Sequence, residues 1–135
     1  MNTTITFAGN LTDDPELRYT PKGKAVATFT VAVNRRVQDA EGQWVDAPAT
    51  FHDVEVWGSE AENIVESLTK GNGAVVHGQV KTDTWEYEGK NHRRDVVVVS
   101  ERYGAIGAWL RFATAQPHKT SRTNTQEPGE TAPPF

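Results

Sequence analysis

Apolar and polar residues alternate with a period of two along most of the chain, up to about residue 115. The longest run places five apolar residues on one face, at Ala25, Ala27, Phe29, Val31 and Val33. Similar runs, rich in valine and threonine, occur near residues 3–7, 52–56, 74–80 and 95–99. This pattern is typical of half-buried β-strands, so the sequence predicts a mostly β protein.

The segment after Trp57 changes to a helical period. Its apolar residues recur at helical spacing, at Ala61, Ile64, Val65 and Leu68. Ser59 and Glu62 form the pattern of a capping box, with Ser59 as the N-cap, and Gly71 stands where glycine commonly ends a helix. This order of elements predicts an all-β five-stranded Greek-key barrel with one α-helix between strands 3 and 4.

The composition changes at Gln116. Thr, Ser, Asn, Gln, Pro and Gly dominate from there to the end of the chain, and no strand or helix period is present. Segments of this composition bury too little apolar surface to fold alone. We therefore predict one folded domain over residues 1–115 and a disordered tail over residues 116–135.

Composition and motifs argue against an enzyme. The chain has no cysteine, which excludes disulfides and thiolate metal sites. Its four histidines are scattered without the spacing of metal ligands, and neither a P-loop nor a Gly-x-Ser-x-Gly motif occurs. We expect no catalytic residues, no cofactor and no bound metal.

The N-terminal residues and the net charge narrow the function further. The first four residues, Met-Asn-Thr-Thr, begin neither a basic region nor a long apolar run, so we expect no secretory signal and no association with a membrane. The net charge of −4 argues against a protein that binds nucleic acid by charge alone.

Several large aromatic residues are predicted to be exposed. Phe51 and Trp57 have the parity opposite to Val54 and Val56, so they face solvent if the valines face the core. On a later segment, Trp85 shares a parity with the basic residue Lys81. Exposed aromatic rings beside basic residues suit stacking on nucleic-acid bases. The residues alone allow equally that these rings cover a second small core or a subunit interface.

Basic residues cluster near these aromatics. Arg35 and Arg36 end a predicted strand, and the segment around Trp85 is flanked by Lys81, Lys90, Arg93 and Arg94. The acidic residues concentrate on the predicted helix and in an early loop. Such segregation can leave a positive groove on an acidic protein, although charge clusters alone more often reflect an ordinary solvated surface.

Taken together, these features resemble the bacterial single-stranded DNA-binding protein family. The resemblance covers roughly residues 3 to 112. It rests on Gly9-Asn10-Leu11, residues 14–19, 25–32, 51–58, 61–62, 68–71 and 76–81, and Trp85, all at the spacing of the family. The segment 111–115, Arg-Phe-Ala-Thr-Ala, is similar to the actinobacterial branch.

The resemblance implies an OB fold that binds and protects single-stranded DNA during replication, recombination and repair, in the cytoplasm with the nucleoid. By position, Phe51, Trp57 and Trp85 are expected to stack on bases. The basic residues expected at the DNA backbone are Arg35, Lys70, Lys81, Lys90 and Arg93.

The family assembles as a homotetramer, and this assembly is expected here. His52 matches a position at the subunit interface. The strand over residues 3–7 offers an edge for a second subunit, which places Thr4 and Thr6 at the same interface. The apolar segment 103–112 is expected to clamp neighbouring subunits, as in the actinobacterial branch.

The chain departs from the family at several positions. Val37 stands where some members have a stacking tryptophan, and Asp53 and Asp83 stand where some have basic residues. We therefore expect weaker DNA binding or a different DNA path. An alternative is an OB-fold module that binds protein in a primosome-like assembly.

The tail departs as well. It ends in Pro134-Phe135 but carries few of the acidic residues that precede this ending in the family. Recruitment of replication and repair proteins is therefore expected to be weak, as in a paralogue with a degenerate tail.

Overall fold

The alternating segments form seven strands and one helix in the part of the chain described by the computed structural model, residues 1–117. Residues 118–135, which make up most of the predicted tail, lie outside the described residues. The elements are β1 Thr3–Leu11, β2 Glu16–Tyr19, β3 Ala25–Gln38, β4 Trp44–Trp57, α1 Ser59–Ser67, β5 Gly73–Tyr87, β6 Lys90–Val99 and β7 Ala105–Ala108.

Five of these strands close into a barrel. The order β1-β3-β4-β6-β5 returns to its start because β1 pairs with both β3 and β5. The pairings are antiparallel except for β4 with β6, which is parallel. Helix α1 lies between β4 and β5, the third and fourth barrel strands, as predicted. The short β2 and β7 flank the barrel on β3 and β5.

The core of the barrel follows the alternation seen in the sequence. Ala27, Val31, Val54 and Val56 are almost completely buried, and α1 and the residue after it add Ala61, Ile64 and Leu68. Full burial of a valine, leucine or isoleucine side chain contributes about 1.5–3 kcal/mol. The prediction that Val54 and Val56 face the core is confirmed, so their odd-numbered neighbours on β4 face outward.

The predicted ends of the helix are wrong. The N-cap is Gly58, with φ 85°, and no side chain within residues 1–117 caps the helix. Ser59 is already the first helical residue, whereas a capping side chain must precede it. At the other end, Leu68 is extended and buried, so the helix ends at Ser67. Gly71, with φ 88°, instead shapes the turn that follows.

The pairing of β3 with β4 contains a β-bulge. Val33 lies opposite Thr50, but Arg35 lies opposite Ala47, so one residue of β3 faces both Pro48 and Ala49. Proline has no backbone N–H to donate and is tolerated in sheets at such bulges. Because a slip of one residue exchanges the faces of a strand, even-numbered residues of β4 before the bulge share a face with odd-numbered residues after it.

Candidate nucleic-acid interface

One surface of the sheet brings the predicted aromatic residues together. Across β3, β4, β6 and β5, the register places Thr30, Asp53, Val96 and Lys81 in one row. Side chains two residues apart on a strand share a face, so Phe51, Trp57 and Trp85 lie on the same surface as this row. We call this surface, on the side of the sheet opposite the barrel core, the outer face.

The aromatic rings on the outer face are accessible to different degrees. Phe51 is 63% exposed and Trp85 is 46% exposed, and the ring of Trp85 stacks on His92 with centroids 5.7 Å apart. Trp57 is half-buried, and its indole N–H donates a hydrogen bond of 2.7 Å to Glu55 Oε1. Phe51 and Trp85 are thus exposed, and contacts orient the rings of Trp57 and Trp85. Planar rings of this kind suit stacking on planar ligands.

Glu55 is a functional candidate that the sequence reading missed. The residue is only 9% exposed. Its carboxylate accepts the hydrogen bond from Trp57 and pairs with Lys81 Nζ at 3.3 Å. The same ammonium lies 3.4 Å from Asp83 Oδ1. Burial by itself lowers the pKa of Lys81, but the attraction to Glu55 and Asp83 outweighs it, and the pKa lies above its ordinary value of 10.5.

A second pair lies across β4 and β6. Asp53 accepts a hydrogen bond of 2.8 Å from the Thr30 hydroxyl, and its other oxygen lies 3.5 Å from Arg94 Nη1. The carboxylates of Asp53, Glu55 and Asp83 therefore all lie on the outer face, each beside a cation of that face. The two aspartates marked as departures from the family are thus part of this surface.

The remaining predicted basic residues lie on both faces of the sheet and in the turn after α1. Lys90 pairs with Tyr87 at the end of the β5–β6 hairpin and shares the face of Trp85, whereas Arg93 pairs with Thr84 and points to the opposite side. Arg35, opposite Ala47, also lies on the opposite side. Lys70 lies in the turn after α1, where its backbone N–H donates to Asp14 Oδ1.

The bulge brings two other residues to the outer face. After the shift in register, Arg36 and Trp44 lie on the same face as Phe51. Val37 lies on the opposite face. Alternation counted without the bulge places Trp44 on the face opposite to Phe51, so the sequence did not predict it as an outer-face residue. Pro48 was the available signal, because a proline within a predicted strand indicates an edge or a bulge.

The predicted interface residues lie around β1. From Thr3 to Gly9 this strand pairs with β5 on one edge, and among residues 1–117 its other edge meets β3 only at Asn10 and Leu11. Thr4 and Thr6 are exposed there. His52 faces away from the outer face and stacks on Phe7 with centroids 4.3 Å apart.

The described part of the chain contains neither a metal-binding group of side chains nor a membrane-spanning helix. In residues 1–117, no group of three or more His, Asp and Glu side chains is placed to hold a metal ion. Among the same residues, α1 is too short and too polar to span a bilayer.

Comparison with known proteins shows the family to which this chain belongs. The model of the single-strand binding protein family matches residues 1–106. The chain belongs to this family. The single-stranded DNA-binding protein of Mycobacterium tuberculosis is 46% identical to this family member over 123 residues, which are 90% of this chain and 73% of the relative. The protein of the same name from Paenarthrobacter nicotinovorans is 41% identical over 135 residues, with 97% and 78% covered.

A solved structure supports the fold of this single-strand binding family member. The Plasmodium falciparum SSB in complex with ssDNA has a TM-score of 0.71 to this chain at 22% identity, and the match covers 80% of this chain and 94% of the other. The predicted OB fold and the resemblance to actinobacterial members of the family are thus confirmed.

The ion pairs of Lys81 generate a prediction about its titration. Glu55→Gln removes one carboxylate charge but keeps an oxygen that accepts the Trp57 hydrogen bond, so the pKa of Lys81 should fall relative to the native protein. A lysine whose pKa is raised in the folded state stabilises the fold at a pH below its unfolded pKa, and this stabilisation is lost as the pH rises through its folded pKa. Any loss of stability in Glu55→Gln should therefore fade as the pH rises beyond 10.5.

Carbon-13 NMR of labelled lysine side chains measures this titration directly. Glu66→Gln, an exposed residue of α1, is the matched control and should leave the pKa of Lys81 unchanged. An unchanged pKa in Glu55→Gln as well would contradict the ion pair.

Proposed function

We propose that this chain binds and protects single-stranded DNA on its outer face, without enzymatic activity, during replication, recombination and repair. The observation that carries the proposal is the grouping of Phe51, Trp57 and Trp85 on one surface of the barrel around Lys81. Membership of the single-strand binding protein family supports it, as do relatives whose name is single-stranded DNA-binding protein.

Stacking is proposed to contribute most of the affinity. Every base offers a π-face, so exposed rings bind single strands with little sequence preference. Lys81 and Arg94 are each paired with carboxylates in the free protein. A DNA phosphate must therefore compete with these carboxylates, and the electrostatic share of the binding free energy is small.

A domain division and a homotetramer complete the proposal. Residues 1–115 form the DNA-binding domain, and residues 116–135 form a tail that binds replication and repair proteins weakly through Pro134-Phe135. The open edge of β1, with Thr4 and Thr6, and the segment 103–112 contact neighbouring subunits. The place of action is the cytoplasm, at the nucleoid, in keeping with the bacterial relatives.

One observation favours a second candidate function. The three carboxylates on the outer face repel phosphate, which suits an OB-fold module that binds protein in a primosome-like assembly. Tryptophan emission separates the two candidates, because Trp57 and Trp85 are quenched when bases stack on them, whereas a protein-binding module shows little change with oligo(dT).

The stacking residues give the first binding prediction. Trp57→Ala and Trp85→Ala should each weaken oligo(dT) binding by about 1–3 kcal/mol, because each removes one base-stacking ring. The measurement is a titration of labelled oligo(dT) with variants shown to be folded by circular dichroism. Tyr19→Ala, an exposed aromatic of β2 away from the outer face, should bind like the native chain. Native affinity in both tryptophan variants would remove the support for stacking.

Salt dependence tests the role of the paired carboxylates. Binding should weaken with a log–log slope of about −0.7 for each phosphate neutralised on a single strand, and Lys81→Ala should make the slope shallower. Asp83→Ala removes one competitor for the Lys81 ammonium and should tighten binding modestly. Glu66→Ala changes the net charge equally but lies on α1, so it should have a smaller effect. Weaker binding by a folded Asp83→Ala variant would show that Asp83 is not repulsive.

The proposed assembly has its own test. Light scattering on a sizing column should give a mass close to four times 14.9 kDa, because an open strand edge such as that of β1 is stabilised by pairing with another subunit. A monomer at micromolar concentration would refute the tetramer.

A further inference from the structure

The β3–β4 hairpin carries an exposed tryptophan that the proposed stacking set does not include. Trp44 begins β4, lies opposite Gln38 and is 60% exposed. The bulge at Pro48 and Ala49 shifts the register by one residue, so Trp44 lies on the same side of the sheet as Phe51. The outer face therefore continues past the bulge from the barrel along this hairpin.

Trp44 lies close to a guanidinium of the neighbouring strand. The guanidinium of Arg36 donates a hydrogen bond of 3.1 Å to the carbonyl oxygen of Trp44, and its Nε lies 3.6 Å from Asp46. Between Arg36 and the barrel, β3 presents Asn34 and Ala32 on this face. The acidic residues of this hairpin are Asp46, which lies on the same face, and Asp39 and Glu41 in the turn before Trp44.

The distance between Phe51 and Trp44 also allows one DNA strand to contact both rings. Phe51 follows Trp44 by seven positions, and at about 3.3 Å for each position along a strand the two are at most roughly 23 Å apart. A DNA strand that occupies the outer face and continues past Phe51 along β3 and β4 arrives at Trp44 and Arg36. An exposed aromatic ring suits stacking of a base, and the Arg36 guanidinium, on the same face, is a cation that a phosphate can approach in competition with Asp46.

We propose that Trp44 is a further base-stacking residue, which extends the path of single-stranded DNA from Phe51 along the β3–β4 hairpin. The inference rests on the proposed function, because it needs DNA on the outer face. Its occupant is a base of the same DNA strand, and continuity with the outer face favours this over a protein partner.

The test combines a loss of affinity with a spectroscopic signal from Trp44 itself. Trp44→Ala should bind labelled oligo(dT) roughly fivefold or more weakly, the low end of one lost stacking ring, and Trp44→Phe should recover most of this loss. In a variant with Trp57, Trp85 and Trp109 replaced by phenylalanine, Trp44 is the remaining tryptophan, and oligo(dT) should quench its emission. Val45→Ala, the neighbouring residue on the other side of the hairpin, is the control and should bind normally.

The outcomes separate the two proposals. If native protein does not bind oligo(dT), the proposed function fails and the inference fails with it. If native protein binds but Trp44→Ala binds equally well and Trp44 emission is unchanged, the inference alone is overturned. The inference is also overturned if light scattering shows that Trp44→Ala forms a smaller oligomer than the native protein, because Trp44 then contacts a second copy of the chain.

Discussion

Strand β4 is paired along both edges, antiparallel to β3 and parallel to β6, and the outer face depends on this pairing. Because Val54 and Val56 must enter the core, the alternation of the strand directs Phe51, Glu55 and Trp57 outward. The parallel register with β6, and that of β6 with β5, then places Lys81 in the row of Asp53. The same pairing that buries the core thus assembles rings and charges from distant parts of the chain.

The charges on the outer face explain how an acidic chain can present a binding surface of this kind. Each carboxylate lies beside a cation or a hydrogen-bond donor, as Glu55 lies between Trp57 and Lys81. The exposed pair of Arg94 with Asp53 contributes only about 0–1 kcal/mol to stability, and the carboxylates of the outer face occupy both Lys81 and Arg94. Under the proposed function, such a surface depends on stacking more than on attraction to phosphate.

The β-bulge connects the barrel to the hairpin beyond it. Pro48 has no N–H for a regular ladder, and the slip of one residue reverses which side chains of β4 face outward. Trp44 and Arg36 are thereby placed on the side of Phe51, while Arg35 and Val37 are placed on the other. One irregular position therefore decides which half of the hairpin continues the outer face.

The sequence by itself determined the mostly β character of the chain, the place of the helix in the order of elements, and the outward direction of Phe51, Trp57 and Trp85. These features depend on a period of two within single strands and on a helical period within one segment, which are local properties of the chain. The predicted N-cap was wrong by one residue, because Ser59 is the first residue of the helix and Gly58 is its N-cap.

Only the tertiary structure decided the partners of Lys81 and the place of Trp44. Glu55 and Lys81 meet across an intervening strand, so their contact depends on the registers of two strand pairs. Trp44 faces outward because of a slip that parity cannot show. Contacts between strands follow from register, and register is set by the packing of the whole barrel rather than by any one segment.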